Sequence, residues 1–163
     1  MDEVSVSDAP QLHEALGPLA AWLGTFEGDG AGDYPTIEPF RYRERVTFGH
    51  VGKPFLVYQQ RTWHPETGAP MHAEAGYLRL LGNHAELVLA HPTGITEIQE
   101  GDLAGGTLHL ASTAVGRTST ALPVRTLRRV INLEDDTLSY DLWMAHADTP
   151  ETHHLAATLH RVR

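Results

Sequence analysis

The chain has 163 residues, of which 41% are hydrophobic and 20% charged, a composition typical of one globular domain with a buried core. Its 21 acidic and 12 basic residues give a formal charge of −9, so neither nucleic acid nor an anionic membrane surface is an expected partner. There are no cysteines, which excludes disulfides, thiolate metal sites and cysteine nucleophiles, whereas the 11 histidines offer many imidazole ligands.

The first residues of the chain are acidic and lack the basic and apolar regions of a signal peptide. No apolar run along the sequence approaches the length of a membrane span. These two features predict a cytoplasmic location.

One helix is predicted near the N-terminus, where leucine and alanine recur at helical spacing between residues 12 and 19. Ser7 or Asp8 can cap this helix, Pro10 suits its first turn, and Gly17-Pro18 should end or bend it. A short helix that precedes a β-rich body commonly covers one open end of it. We expect the same arrangement here.

A run of alternate glycines, Gly28, Gly30 and Gly32, leads into the corner Tyr34-Pro35-Thr36. Glycine at every second position clears one face of an extended segment, so that another backbone or a flat ligand can approach closely. The spacing is similar to that of a phosphate-binding loop, but a proline follows where that loop requires a helix. The run therefore predicts a bent strand end at the mouth of a barrel.

The rest of the chain is predicted to form short strands. In residues 40–48 apolar side chains alternate with arginine and threonine, and Glu44 is the one anomaly on the apolar face. About ten strands at regular spacing, without helices between them, predict an all-β, antiparallel up-and-down barrel as a single domain over residues 1–163. Residues 113–122 are predicted to form a loop. The predicted strands are residues 22–30, 40–48, 53–63, 71–81, 86–91, 95–99, 107–112, 124–133, 137–145 and 153–162.

Two adjacent histidines, His153 and His154, lie in the last predicted strand. Because neighbours in a strand point to opposite faces, His154 is grouped with Ala156 and Thr158, small side chains that suit a large flat ligand. His153 is grouped with the leucines, and a polar edge residue is the alternative interpretation of either histidine. The other candidates for the wall of a shared cavity are His72, His91 and Met144.

Other chemistry stays open at this point. A zinc site of His72, His91 and His154 is conceivable, although these residues lack the short spacing typical of zinc motifs. A serine hydrolase site has no Gly-x-Ser-x-Gly elbow to support it.

Four segments in order carry a resemblance to a known family. Together they resemble the nitrobindin family, small haem proteins with a barrel similar in shape to the fatty-acid-binding proteins, and they extend from about residue 18 to the end of the chain. The segments are Gly24-Thr-Phe-Glu-Gly-Asp-Gly with Tyr34-Pro-Thr-Ile-Glu-Pro-Phe40, His50-Val-Gly-Lys-Pro-Phe55, Glu86-Leu-Val-Leu-Ala-His-Pro-Thr-Gly-Ile-Thr-Glu97, and His154-Leu-Ala-Ala-Thr-Leu-His-Arg161.

The resemblance implies one haem b, whose iron is bound by the histidine that opens the last strand, here His154, and whose rim lies against the corner threonine, here Thr36. It implies that ferric haem isomerises peroxynitrite to nitrate, with His154 as the catalytic and metal-binding residue and nitric oxide as a further ligand. A homodimer is left open.

Two departures from the family pattern concern the haem surroundings. Phe26 replaces the signature tryptophan, and Leu122 stands where close relatives carry a lysine near the haem propionates. Arg125 or Arg129 are then the candidate partners of a propionate.

Two other functions remain open. The same haem would serve nitric oxide binding or sensing without turnover, because both use the same open iron position. A carrier of a fatty acid or similar apolar ligand is the second alternative. Such a carrier favours an inward arginine, and the arginines of residues 40–48 alternate onto the face opposite Phe40 and Tyr42.

Overall fold

The computed structural model describes residues 9–163, and its ten strands form one closed antiparallel barrel. Each strand pairs with the next in chain order, and β1 closes the barrel by pairing with β10. The predicted ten-stranded up-and-down barrel is confirmed. The strands are β1 (Gly24–Tyr34), β2 (Ile37–His50), β3 (Leu56–Trp63), β4 (Pro70–Leu81), β5 (His84–His91), β6 (Ile95–Ala104), β7 (Thr107–Arg117), β8 (Val124–Glu134), β9 (Thr137–His146) and β10 (Thr149–Val162).

The N-terminal helix is a 3₁₀ helix, Glu14–Trp22, that covers one end of the barrel. Leu16, Leu19 and Trp22 are buried in the same core as the leucines of the strands, and the Trp22 ring packs edge-on against Phe48 with ring centroids 5.8 Å apart. The predicted covering of an open end is therefore confirmed. Among residues 9–163 no helix is long and apolar enough to cross a membrane.

The ends of this helix differ from the prediction. Its first turn is capped by the His13 side chain, which accepts a hydrogen bond from the amide of Ala15, whereas Ser7 and Asp8 lie outside the described residues. The helix also continues through Pro18, where an end or a bend was predicted. Burial of its apolar side chains holds the segment in place despite the missing amide donor.

The glycine run of β1 makes room for neighbouring parts of the barrel. A Cβ atom at Gly28 would overlap the backbone of β10, while one at Gly30 or Gly32 would overlap the rings of Tyr42 or Phe40. The expected bent strand end is present, because the β1–β2 register shifts between Gly32 and Tyr34. Of the two expected close approaches, that of another backbone is confirmed at Gly28, whereas aromatic side chains of β2 occupy the space at Gly30 and Gly32.

We expect Gly30→Ala to lower the free energy of unfolding by about 1–3 kcal/mol, the usual cost of overpacking, because the added methyl group must displace the Tyr42 ring. Gly17→Ala is the matched control, since nothing lies within 4 Å of a Cβ atom there. Urea unfolding of both variants measures the difference. Equal stabilities would contradict the packing described here.

The predicted loop at residues 113–122 is wrong in its first half. Strand β7 extends to Arg117 because it regains pairing with β6 beyond a register shift between Ile98 and Gln99. Pairing of β7 with β8 covers only Thr107–Ala111 against Arg128–Asn132. Within the described chain, these two strands therefore separate toward one end of the barrel.

Candidate functional site

A cavity of about 340 Å³ lies inside the barrel at the end away from the helix. Along β4 the inward side chains change from Leu80 and Leu78, which belong to the leucine core, to Glu74 and His72, which line the cavity. The cavity volume falls in the range usual for small-ligand and cofactor sites. The barrel is thus packed solid at one end and hollow at the other.

His154 lines this cavity from β10. The register of β10 against β9 shifts between His153 and Leu155, so that both His154 and Leu155 line the cavity. The predicted grouping of His154 with Ala156 and Thr158 is therefore wrong, because strict alternation is broken at this irregularity. Regular alternation begins again at Ala157, whose side chain is buried inside the barrel, and the next residue, Thr158, is exposed.

The surroundings of His154 fix its ring and its tautomer. Its Nδ1 lies 3.1 Å from the carbonyl oxygen of Asp33, which can only accept, so Nδ1 carries the proton and Nε2 carries the lone pair of the neutral ring. Tyr34 and Phe40 pack edge-on against the imidazole, with ring centroids 5.2 and 6.3 Å away. Tyr34 is itself anchored by a hydrogen bond from its hydroxyl to the Met144 carbonyl oxygen, at 3.1 Å.

Burial lowers the pKa of His154, and the nearby charge of His153 lowers it further. His154 is therefore neutral near pH 7, the state in which imidazole donates to a metal. His153 differs, because it is exposed, hydrogen-bonded to Asp141 at 2.8 Å and packed against Trp143. Of the two adjacent histidines, only His154 lines the cavity.

The other residues singled out from the sequence fall into two groups. His72, His91 and Met144 line the same cavity as His154. Thr36 is exposed in the turn between β1 and β2 and is absent from the cavity lining.

The two arginines considered for a haem propionate are in different settings. Arg125 is exposed near the start of β8, whereas Arg129 is buried inside the barrel. The Arg129 guanidinium donates to Glu74 at 2.8 and 3.3 Å and to Glu97 at 3.0 Å. Two carboxylates thus hold both terminal nitrogens of this guanidinium, and its buried Nε has no hydrogen-bond partner within residues 9–163.

This buried ion cluster, Glu74, Arg129 and Glu97, was not foreseen from the sequence. Burial alone would raise the pKa of Glu74, but the charge and hydrogen bonds of Arg129 lower it to about 2. Burial likewise opposes ionisation of Glu97, and Arg129 again lowers its pKa overall. Two carboxylates and one guanidinium therefore lie together beneath the cavity, with an excess of one negative charge.

Glu44, the anomaly on the apolar face of β2, belongs to a second buried polar group. Its carboxyl group accepts hydrogen bonds from Gln60 and from the Tyr140 hydroxyl, the latter at 2.9 Å. Burial raises the pKa of Glu44 to about 7. The side chain that broke the apolar pattern thus faces inward as the pattern predicts. Both neighbours donate to its Oε2, while its buried Oε1 has no hydrogen-bond partner within residues 9–163.

We expect the wild-type chain to lose stability relative to Glu44→Gln as the pH rises from 5 to 8, by on the order of 3 kcal/mol. Between the ordinary pKa of 4.5 and the folded value of about 7, the unfolded chain releases this proton and the folded chain retains it. Stability therefore falls with rising pH across that window. Urea unfolding at both pH values measures this, with the exposed Glu38→Gln as control. A pH-independent difference would contradict it.

The fold and the cavity together define a class of protein. A closed barrel with one hollow end, a wall of apolar and polar side chains and a neutral histidine whose Nε2 makes no hydrogen bond within residues 9–163 is a barrel for a small ligand or a metal cofactor.

Comparison with known proteins identifies the family. Residues 15–161 match the family described as THAP4-like, heme-binding beta-barrel domain, and the chain belongs to that family. It is 54% identical over 155 residues to a protein of Nocardia farcinica named peroxynitrite isomerase, covering 92% of each chain. It is 52% identical over 155 residues to peroxynitrite isomerase 2 of Mycobacterium marinum, covering 92% of this chain and 96% of that protein.

A solved structure agrees with this assignment. The crystal structure of Rv2717c from Mycobacterium tuberculosis matches with a TM-score of 0.89 and 46% sequence identity, covering 94% of this chain and 100% of that chain.

The residues of the cavity fit a haem. His154 offers Nε2 as a ligand atom, and the opposite ring nitrogen is held by a carbonyl oxygen, an arrangement common in histidines that bind metals. Phe40, Leu142 and Met144 supply apolar wall for a macrocycle. The gap between β7 and β8 lies beside Val124 and Leu127, which also line the cavity. The cavity is therefore open on this side, where a flat group can enter.

Proposed function

We propose that this chain is a haem b protein that isomerises peroxynitrite to nitrate, and that His154 is the residue that would bind the iron. The observation that carries the proposal is the His154 imidazole, neutral and oriented, with its Nε2 lone pair at a cavity of cofactor size. Family membership supports haem as the cofactor, and the names of the relatives support peroxynitrite as the substrate.

When bound, ferric haem would supply a Lewis-acidic iron that promotes cleavage of the O–O bond of peroxynitrite. His154 would hold the iron through Nε2, while the Asp33 carbonyl oxygen fixes the proton on Nδ1 and increases the basicity of the ring. Tyr34 and Phe40 restrict rotation of the imidazole through their edge-on contacts. The chain thus sets the ligand and its orientation.

The rest of the cavity sets access and polarity. Peroxynitrite and nitrate contain the same atoms and carry the same charge, so the reaction needs no net proton transfer from a side chain. Leu142 and Met144 supply apolar wall that would limit the access of water to the cavity. His72 and His91 lie in the same wall, as the sequence predicted, and have no required acid–base role in this proposal.

An acid carrier is disfavoured by charge. Contrary to the expectation from β2, the barrel does contain an inward arginine, Arg129, but Glu74 and Glu97 neutralise it. A fatty-acid carboxylate would therefore meet an excess of negative charge. A cytoplasmic location stays a prediction from the sequence.

Stopped-flow measurement of peroxynitrite decay, with nitrate and nitrite quantified at the end, tests the proposal. Haem-loaded chain should accelerate the decay and raise the nitrate yield, while His154→Ala should do neither and His153→Ala should behave as wild type. Substitution of His72 or His91 should change the rate much less than the 10²–10⁴-fold typical of a lost acid–base group. No acceleration by haem-loaded protein would contradict turnover and leave a haem that only binds nitric oxide.

A further inference from the structure

Three potential ligand atoms converge in the cavity wall away from His154. His72 Nε2 lies 3.1 Å from His91 Nδ1, and Glu74 Oε2 lies 3.5 Å from His91 Nδ1 and 4.0 Å from His72 Nε2. We propose that His72, Glu74 and His91 form a binding site for a divalent transition-metal ion of the zinc class, separate from the haem iron.

The spacing of these atoms suits a metal ion. Ligand atoms about 2.0–2.1 Å from a tetrahedral zinc ion lie roughly 3.3 Å from one another. The separations of 3.1 and 3.5 Å are close to this value, and the 4.0 Å between Glu74 Oε2 and His72 Nε2 is longer, so a side-chain movement there completes the site. The cavity that all three side chains line leaves room for a fourth ligand such as water.

The protonation of His91 directs a lone pair toward the other two atoms. Its Nε2 contacts Glu97 Oε2, and a carboxylate accepts, so Nε2 carries the proton and Nδ1 of the neutral ring carries the lone pair. His72 Nε2 can donate a hydrogen bond to that lone pair, but a carboxylate oxygen of Glu74 faces it as well, and these two acceptors repel each other unless a proton or a cation lies between them. The carboxylate–histidine contact is also the usual support of a metal-binding imidazole.

Charge favours a cation at this position. Glu74 and Glu97 carry two negative charges against the single positive charge of Arg129, and all three are buried. Arg129 already donates to Glu74 Oε2 at 3.3 Å, but a carboxylate oxygen has capacity for a second partner. Two imidazoles and one carboxylate form a donor set that binds zinc and ferrous iron in other proteins.

The backbone holds the site rigidly. His72 and Glu74 are alternate residues of β4, His91 ends β5, and Glu97 lies two residues into β6, so the four side chains project from three adjacent strands. The zinc triad considered from the sequence was His72, His91 and His154. In the structure the third member of the group is Glu74 and not His154. Because His154 has no part in this group, the inference does not depend on haem binding.

A second cluster, His84, Glu86 and Glu100, has a similar composition but serves only as a control. All three of its side chains are at least partly exposed, and two of them already pair with each other, with His84 Nε2 3.4 Å from Glu100 Oε1. Nothing buried points to a ligand there. Removing His84 therefore reports on weak binding of metals to the surface.

Isothermal titration of the full chain with Zn²⁺, in haem-free and haem-loaded forms, tests the proposal. One tight site is expected in both forms, weakened more than about 100-fold by His72→Ala or His91→Ala. In the haem-free form, His84→Ala and His154→Ala should bind Zn²⁺ as wild type does. Thermal unfolding of each variant checks that it is folded, and His72→Ala is the safer variant because its side chain is 36% exposed.

Co²⁺ gives an independent readout, since its visible spectrum distinguishes tetrahedral from octahedral coordination. The haem-free chain should show the tetrahedral spectrum, and folded His72→Ala should not. Unchanged Zn²⁺ affinity in folded His72→Ala, loss of the tight site in His84→Ala or His154→Ala, or loss of Zn²⁺ binding on haem loading would each overturn the proposal. Failure of this test would leave peroxynitrite isomerisation untouched, because that activity is measured at the haem.

Discussion

His154→Ala should lower the affinity of the chain for ferric haem by more than about 100-fold, since loss of a mere supporting partner of a metal ligand already costs 10–100-fold. The physical reason is the loss of the Nε2 donor at the cavity, because within residues 9–163 no other histidine of the cavity wall is held by a backbone carbonyl oxygen in this way. Titration of haem into the haem-free chain, followed through the Soret band, measures the affinity.

The matched control is the adjacent His153→Ala, because His153 is exposed and paired with Asp141 on the outside of the barrel. This variant should bind haem with wild-type affinity. The reverse result, with haem lost in His153→Ala and retained in His154→Ala, would show that the register of β10 described here is wrong.

Arg129→Met should lower the free energy of unfolding by about 3–5 kcal/mol at pH 7, the usual cost of removing one partner from a buried ion pair. Methionine fills much of the volume of the arginine, so the loss reflects two buried carboxylates, Glu74 and Glu97, left without a counter-charge. Urea unfolding monitored by circular dichroism is the measurement.

Arg43→Met provides the comparison on the surface. Arg43 pairs with Asp29 at 3.0 Å, but the two side chains are 36% and 67% exposed, so about 0–1 kcal/mol is expected. Similar losses in the two variants would mean that water reaches Glu74 and Glu97 in the folded chain and that the cluster is not buried.

The barrel could be predicted because most of its strands alternate strictly. In β3 the inward row Leu56, Tyr58, Gln60 and Thr62 occupies every second position, and the turns between strands carry glycine, proline and asparagine. The same row also shows why the polar interior was missed. Inward positions become polar toward the cavity, and a polar residue at an inward position looks like an exposed one when only hydrophobicity is read.

Glu44 was the one visible signal of this polar interior, because apolar neighbours surround it on its face of β2. The sequence around Arg129 gave no such signal, because Arg129 follows Arg128 and the two resemble an exposed basic pair. The orientation of His154 depends on the register shift beside it, and such a shift is set by pairing with β9 and not by the local sequence. Strict alternation therefore assigned the wrong neighbours to His154. The family resemblance, and not the alternation, identified His154 as the candidate iron ligand.

A crystal structure of the haem-loaded chain tests the central claim most directly, because it locates the ligand atom of the iron. We expect the iron bound to Nε2 of His154, with Nδ1 still hydrogen-bonded to the Asp33 carbonyl oxygen and the haem inside the cavity that His154 lines. Iron bound by His153, His72 or His91, or a haem outside the barrel, would contradict the account.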